Sequence, residues 1–179
     1  MLLLIIAAAF AVFYAMYKFA RNTGKDEPVQ GAIFVTGCDS GMGENTAFHL
    51  AKIGFHIFAA CYSEDSFKKY EDYKNITCIQ VDVANEESVE AAAKTVEESI
   101  KNSKGAISGL YGVIQCAGIA YIAPFEYIPM KAFKRQIDVN YYGYVYVAKA
   151  FIPLVKTSVA QEGARRGRFV FVSSGPLPG

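Results

Sequence analysis

The segment that most limits what this chain can fold into is Thr36-Gly37-Cys38-Asp39-Ser40-Gly41-Met42-Gly43. The short apolar run Ala32-Ile33-Phe34-Val35 enters it, and a helical pattern from Glu44 to Ile53 leaves it, ended by Gly54. Strand, glycine turn and helix in that order make a place where backbone can approach a ligand closely. The helix start adds unpaired N–H groups and the positive end of the helix dipole, so the turn suits the pyrophosphate of a dinucleotide. The glycines are spaced as TGxxxGxG, not as GxGxxG.

The same alternation continues along the chain. His56 to Cys61 reads as a strand, Glu64 to Tyr73 as a helix and Ile76 to Val83 as a third strand. Glu86 to Lys101 is an amphipathic helix, with Val89, Ala92, Ala93, Val96 and Ile100 on one face. Glu90/Lys94 and Glu97/Lys101 stand four residues apart on it, the spacing at which opposite charges support a helix. Gly109 to Gln115 reads as a strand, much of Met130 to Val155 as helix, and Arg168 to Ser173 as a fifth strand. Strands alternating with helices predict an α/β fold with a doubly wound parallel sheet.

The TGxxxGxG spacing resembles that of the short-chain dehydrogenase/reductase family, and further positions agree with it in order. These are Asp82 after the third strand, Ala117-Gly118 after the fourth, Asn140 with Gly143 in the long helix, and Val172-Ser173-Ser174 after the fifth. The wording Thr36 to Gly41, with Phe58-Ala59-Ala60-Cys61, is most similar to the branch of retinol, hydroxysteroid and D-3-hydroxybutyrate dehydrogenases. The resemblance covers Gly31 to Gly179. It implies a Rossmann domain over residues 31–179 in which Thr36, Gly37, Ser40, Gly41, Met42, Gly43, Asp82, Val83, Ala117 and Gly118 bind the cofactor. Gly37, Gly41 and Gly43 would line the pyrophosphate, and Asp82 would hold the adenine. Asn140 would keep the water-linked relay of the active site in place, and Ser174, the second serine of its pair, would orient the substrate oxygen. The plainer reading of Ser173 and Ser174 is that they cap a strand end.

The 2′-phosphate of NADP asks for Arg or Lys near the glycine loop or at the end of the second strand. Cys38, Asp39 and Ser40 fill the loop and Cys61-Tyr62-Ser63 follow the strand, so NAD is favoured over NADP. Cys61 stands where an acidic residue would hold the ribose, with Glu64 and Asp65 a few positions on. Gln115-Cys116-Ala117-Gly118 replaces the family's Asn-Asn-Ala-Gly, which predicts a looser site.

In the family a tyrosine, with a lysine four residues later, lies about a dozen residues beyond the serine and handles the proton. The chain ends at Gly179 before that point, which predicts a domain truncated after the fifth strand and catalytically incomplete. Tyr14/Lys18 and Tyr70/Lys74 have the spacing. The first falls in an apolar segment and the second reads as an amphipathic surface turn, so neither is taken as the catalyst. An apolar edge at Phe169-Val170-Phe171-Val172 is expected to lower stability and invite pairing with another chain, either a second copy or a full-length relative.

Leu2 to Tyr17 holds no charged residue and is followed by Lys18 and Arg21, the pattern of a membrane helix meeting a basic interface. This predicts an N-terminal membrane helix over residues 1–20 and a polar linker over 21–30. The basic flank places the folded part on the cytosolic side of a membrane such as the endoplasmic reticulum, and Asn75-Ile76-Thr77 is then a silent glycosylation sequon. The formal charge of +1, without a basic run, gives no reason to expect nucleic acid. Cys38, Cys61, Cys78 and Cys116 form no CxxC pair, and His49 and His56 have no ligand-type neighbours in the pattern. All four thiols are expected reduced and mostly buried, and no metal site is expected.

The implied function is hydride transfer between NAD(H) and a lipophilic alcohol or ketone such as a retinoid or steroid. A silent nucleotide-binding or interaction protein is the alternative. A methyltransferase is disfavoured because its glycine loop lacks this spacing.

Overall fold

The computed structural model describes residues 31–159 and 167–173. The expected membrane helix over 1–20, the linker over 21–30 and Ser174 lie outside the described residues. Five strands form one parallel sheet: β1 (Ala32–Thr36), β2 (His56–Cys61), β3 (Ile76–Gln80), β4 (Leu110–Gln115) and β5 (Arg168–Phe171). Their order is β3-β2-β1-β4-β5. The helices are α1 (Gly41–Lys52), α2 (Glu86–Asn102), α3 (Met130–Ile137) and α4 (Gly143–Val159).

Period-two alternation in the strands sends side chains to both faces of the sheet, and helices cover both. Phe34 points to the face packed by α2 and α4, where it stacks on Phe151 with ring centroids 4.1 Å apart, beside Val89, Val96 and Val147. Ile33 and Val35 point to the other face, against Ala47 and Ala51 of α1 and Tyr70. The architecture is therefore the doubly wound Rossmann-like arrangement. The chain runs outward from β1 to β2 and β3 on one side, and to β4 and β5 on the other. The order reverses beside β1, so a crevice opens past the carboxyl ends of β1 and β4.

Three expected elements differ. Residues 64–73 were expected as a helix, but Glu64–Tyr70 is a 3₁₀ helix. The third strand stops at Gln80 instead of Val83, because the Asp82 carboxylate accepts the Ala84 N–H at 3.0 Å and turns the backbone away from the sheet. The long helix over 130–155 is broken by a π-helical turn, Asp138–Tyr142, between α3 and α4. Among the described residues β5 lies at one edge of the sheet, with Val170 and Phe171 exposed.

All four cysteines are free thiols, but only Cys38 and Cys61 are buried; Cys78 and Cys116 are half-buried. The side-chain amide of Asn75, in the sequon, donates to the carbonyls of Ala51 and Phe55 at 2.8 and 2.9 Å, which ties it into the end of the sheet. Among the described residues no helix is long and apolar enough to cross a membrane.

Candidate functional site

At two positions of the glycine turn there is no room for a Cβ. Gly37 has φ +71°, and a Cβ there would lie 2.8 Å from the Cα of Ala117. A Cβ on Gly43 would overlap the Gly37 carbonyl, so α1 sits directly on the turn. Buried Thr36 closes the other side: its hydroxyl accepts the N–H groups of Cys116 and Ala117, both at 3.1 Å. The ends of β1 and β4 are thus joined into one wall. Helix α1 starts at Gly41, and Ser40 at its N-cap makes no capping hydrogen bond, which leaves the first-turn N–H groups to a ligand. A backbone cradle that a Cβ would fill, next to an uncapped helix start, fits a pyrophosphate.

The turn is held from below by a residue that the sequence reading placed on the surface. Tyr70 is 2% exposed, and its hydroxyl donates to the Cys38 carbonyl at 2.6 Å. The tight 3₁₀ helix turns its ring inward onto Phe48. Burial pushes its phenol up, the reverse of what an acid-base tyrosine needs. The spacing also occurs at Tyr127/Lys131, which the sequence reading passed over; Tyr127 is 74% exposed and lines neither cleft described below.

A cleft of about 500 Å³ opens over the carboxyl ends of β1, β2 and β4, and Gly37, Ser40, Asp82, Val83, Ala117 and Gly118 line it. The Arg135 guanidinium spans the Asp82 carboxylate at 3.1 and 3.2 Å and lies 5.9 Å from the centroid of the Tyr62 ring. Arg135 and Tyr62 were not among the expected site residues. Arg135 is 53 positions from Asp82, and only the docking of α3 brings it there.

Asp39 is the other unforeseen member. Its carboxylate leaves the glycine turn and accepts the N–H groups of Tyr62 (2.8 Å) and Ser63 (2.9 Å) and the Ser66 hydroxyl (2.9 Å). No Lys or Arg lies within the loop itself, but the fold brings one beside it. Lys69, from the 3₁₀ helix, donates to the Asp39 carbonyl at 2.6 Å and pairs with Glu44 at 3.0 Å.

A second, larger cleft of about 820 Å³ adjoins the first across Ala117 and Gly118, with Met42, Asn140, Tyr144 and Ser173 in its lining. Asn140 sits in the π-helical turn and engages the Ile119 peptide twice, its amide donating to the carbonyl at 2.7 Å and its oxygen accepting the N–H at 2.9 Å. A π turn is a frequent mark of a functional position, and no local signal in the sequence announces it. Gln115 and Tyr144 clasp each other, the Gln115 amide donating to the Tyr144 carbonyl at 3.3 Å. The Tyr144 hydroxyl lies 3.1 Å from the Gln115 carbonyl and 2.6 Å from that of Val172, so β4, β5 and α4 meet at one point. The Cys116 thiol, expected to loosen the site, is compensated in the backbone by the Thr36 bond; burial pushes the thiol up. Ser173 lines this cleft, next to the expected Ser174.

A family model described as short chain dehydrogenase matches residues 31–176. The D-beta-hydroxybutyrate dehydrogenase of mouse mitochondria is 34% identical over 149 residues, 80% of this chain and 40% of that protein. Mouse estradiol 17-beta-dehydrogenase 2 is 33% identical over 169 residues, 92% of this chain and 41% of that protein. The chain thus spans about 40% of the length of these curated relatives. Among solved structures, an NADPH-bound carbonyl reductase from chicken fatty liver superposes with a TM-score of 0.71 at 24% identity, over 86% of this chain and 61% of that one.

Proposed function

The chain belongs to the short-chain dehydrogenase family, and on that premise we propose that it serves hydride transfer between NAD(H) and a lipophilic alcohol or ketone such as a retinoid or steroid. The observation that carries this reading is the unbroken wall from the glycine cradle, past Asp82, to Asn140 and Ser173. In it, Gly37, Gly41 and Gly43 bring backbone to the pyrophosphate, Thr36 with Ala117 and Gly118 forms the crevice side, and Ser40, Met42 and Val83 border it. Asp82, held by Arg135, fixes the adenine end. The dinucleotide, when bound, supplies or takes up the hydride.

Asn140 holds the Ile119 backbone and so sets the edge of the second cleft; by the family resemblance, the role of orienting the substrate oxygen falls to Ser174. Ile119, Ala120, Val145, Ala148 and Ile152 give that cleft an apolar lining, which supports a lipophilic substrate. The name of the estradiol relative agrees with a steroid-like one. Proton transfer needs a phenol lowered by a neighbouring ammonium. Burial pushes the Tyr70 phenol the other way, and Tyr127 lines neither cleft, so neither is the acid-base group of this site. The apolar run Leu2 to Tyr17 followed by Lys18 and Arg21 supports attachment to a membrane such as the endoplasmic reticulum, with the sheet on the cytosolic side.

Titration of the full 179-residue chain with NADH, followed by ligand fluorescence, tests the reading. Binding is expected, and Gly41→Asp should weaken it by about tenfold or more, since a carboxylate there meets the pyrophosphate. Unchanged affinity in that variant would refute the cofactor site.

A further inference from the structure

Position 61, where the second strand ends, is a buried thiol, so the acidic group that would meet the adenosine ribose is absent from the place in the sequence where it is sought. The structure puts a carboxylate at that strand end from another part of the chain. Asp39 reaches out of the glycine turn across 23 and 24 positions and binds the backbone of Tyr62 and Ser63, the two residues directly after β2.

We propose that Asp39 is the residue by which this protein selects NAD over NADP. The inference rests on the dinucleotide reading above. Three features of the geometry carry it. First, the N–H groups of Tyr62 and Ser63 and the Ser66 hydroxyl form a set of three donors converging at the end of β2, the arrangement in which an anionic oxygen is welcome. The Asp39 carboxylate already fills it, so a 2′-phosphate finds its donors taken and a negative charge in their place.

Second, an ionised carboxylate offers about four acceptor positions on its two oxygens. Oδ1 accepts from Ser63 and Ser66 and Oδ2 from Tyr62, which leaves one position on Oδ2 for a ribose hydroxyl. A hydroxyl can donate there. A phosphate, which carries about −1.5 to −2 charge at pH 7, cannot.

Third, among the described residues two cations near this corner, Lys69 and Arg135, are engaged elsewhere. Lys69 pairs with Glu44 and gives a hydrogen bond to the Asp39 carbonyl, while Arg135 spans Asp82. Neither stands as a free partner for a phosphate. Asp39 itself is half-buried and lines the same cleft as Gly37 and Asp82, so the discrimination acts where the nucleotide lies.

The test is a competition on the full chain. Binding of NADH and NADPH is measured for the wild type and for Asp39→Asn, and AMP is compared with adenosine 2′,5′-bisphosphate on the wild type alone. The wild type is expected to prefer NADH and AMP over their 2′-phosphorylated counterparts by about tenfold or more, as a desolvated like-charge contact demands. Asp39→Asn should shrink the NADH-to-NADPH ratio by about tenfold, mainly through tighter NADPH binding. A merely structural role would weaken both nucleotides together and leave the ratio alone. Should the variant not fold, the wild-type comparison of the two adenosine phosphates still decides. Equal affinity for them, or an unchanged ratio in the variant, overturns the assignment of Asp39 and leaves the dinucleotide reading standing. Binding of neither NADH nor NADPH by the wild type overturns both.

Discussion

His56 opens β2 with its ring against Phe58 and a ring nitrogen 3.0 Å from the Thr77 hydroxyl, and burial lowers its pKa from 6.5. The unfolded chain therefore takes up a proton at this residue before the folded chain does, and stability falls as pH drops below 6.5 towards the lower folded value. The thiols act at the other end of the scale. Burial pushes Cys61 from 9.0 up to about 12 and Cys78 up to about 11, so the unfolded chain loses these protons first and stability falls as pH rises above 9.0. Thermal melts across pH should show a plateau between these limits, and His56→Gln should remove much of the acid slope while leaving the alkaline one. At this scale the sequence was legible where partners are neighbours. Gly37, Gly41 and Gly43 carry their meaning in their spacing. Asp39, Tyr62, Tyr70 and Arg135 owe theirs to partners 23 to 53 positions away, and nothing local marks them.

At the scale of elements, β1 is the strand on which both faces depend, because it pairs with β2 on one side and β4 on the other. Phe34 at its centre and Phe151 of α4 are both fully buried and stacked. Phe151→Ala should cost about 3–5 kcal/mol through lost burial and the cavity left behind, measured by denaturant unfolding. Such a loss would strain α4 and with it the Tyr144 clasp to Val172. Strands β1, β2 and β4 fall within a residue of their sequence limits because apolar runs bounded by turns define them. The 3₁₀ helix at 64–70 and the π turn at 138–142 were not legible, since each is a small change of helical pitch imposed by what it packs against.

For the whole molecule, the strand order places every expected cofactor contact at one end of one sheet. The glycine turn follows β1, Asp82 follows β3, Ala117 and Gly118 follow β4, and Asn140 reaches back to Ile119 beside them. That convergence of residues spread from 36 to 140 follows from the parallel pairing of the strands, which brings all their carboxyl ends to the same side. It was foreseen as topology, whereas the Asp39 link between the β1 turn and the β2 end was not. The most direct measurement is amide hydrogen exchange of the full chain with and without saturating NADH. The account predicts added protection in 36–43, 62–66, 82–84 and 116–119, with α2 and β5 unchanged. No added protection in 36–43 and 82–84, or protection confined to other parts of the sheet, would contradict it.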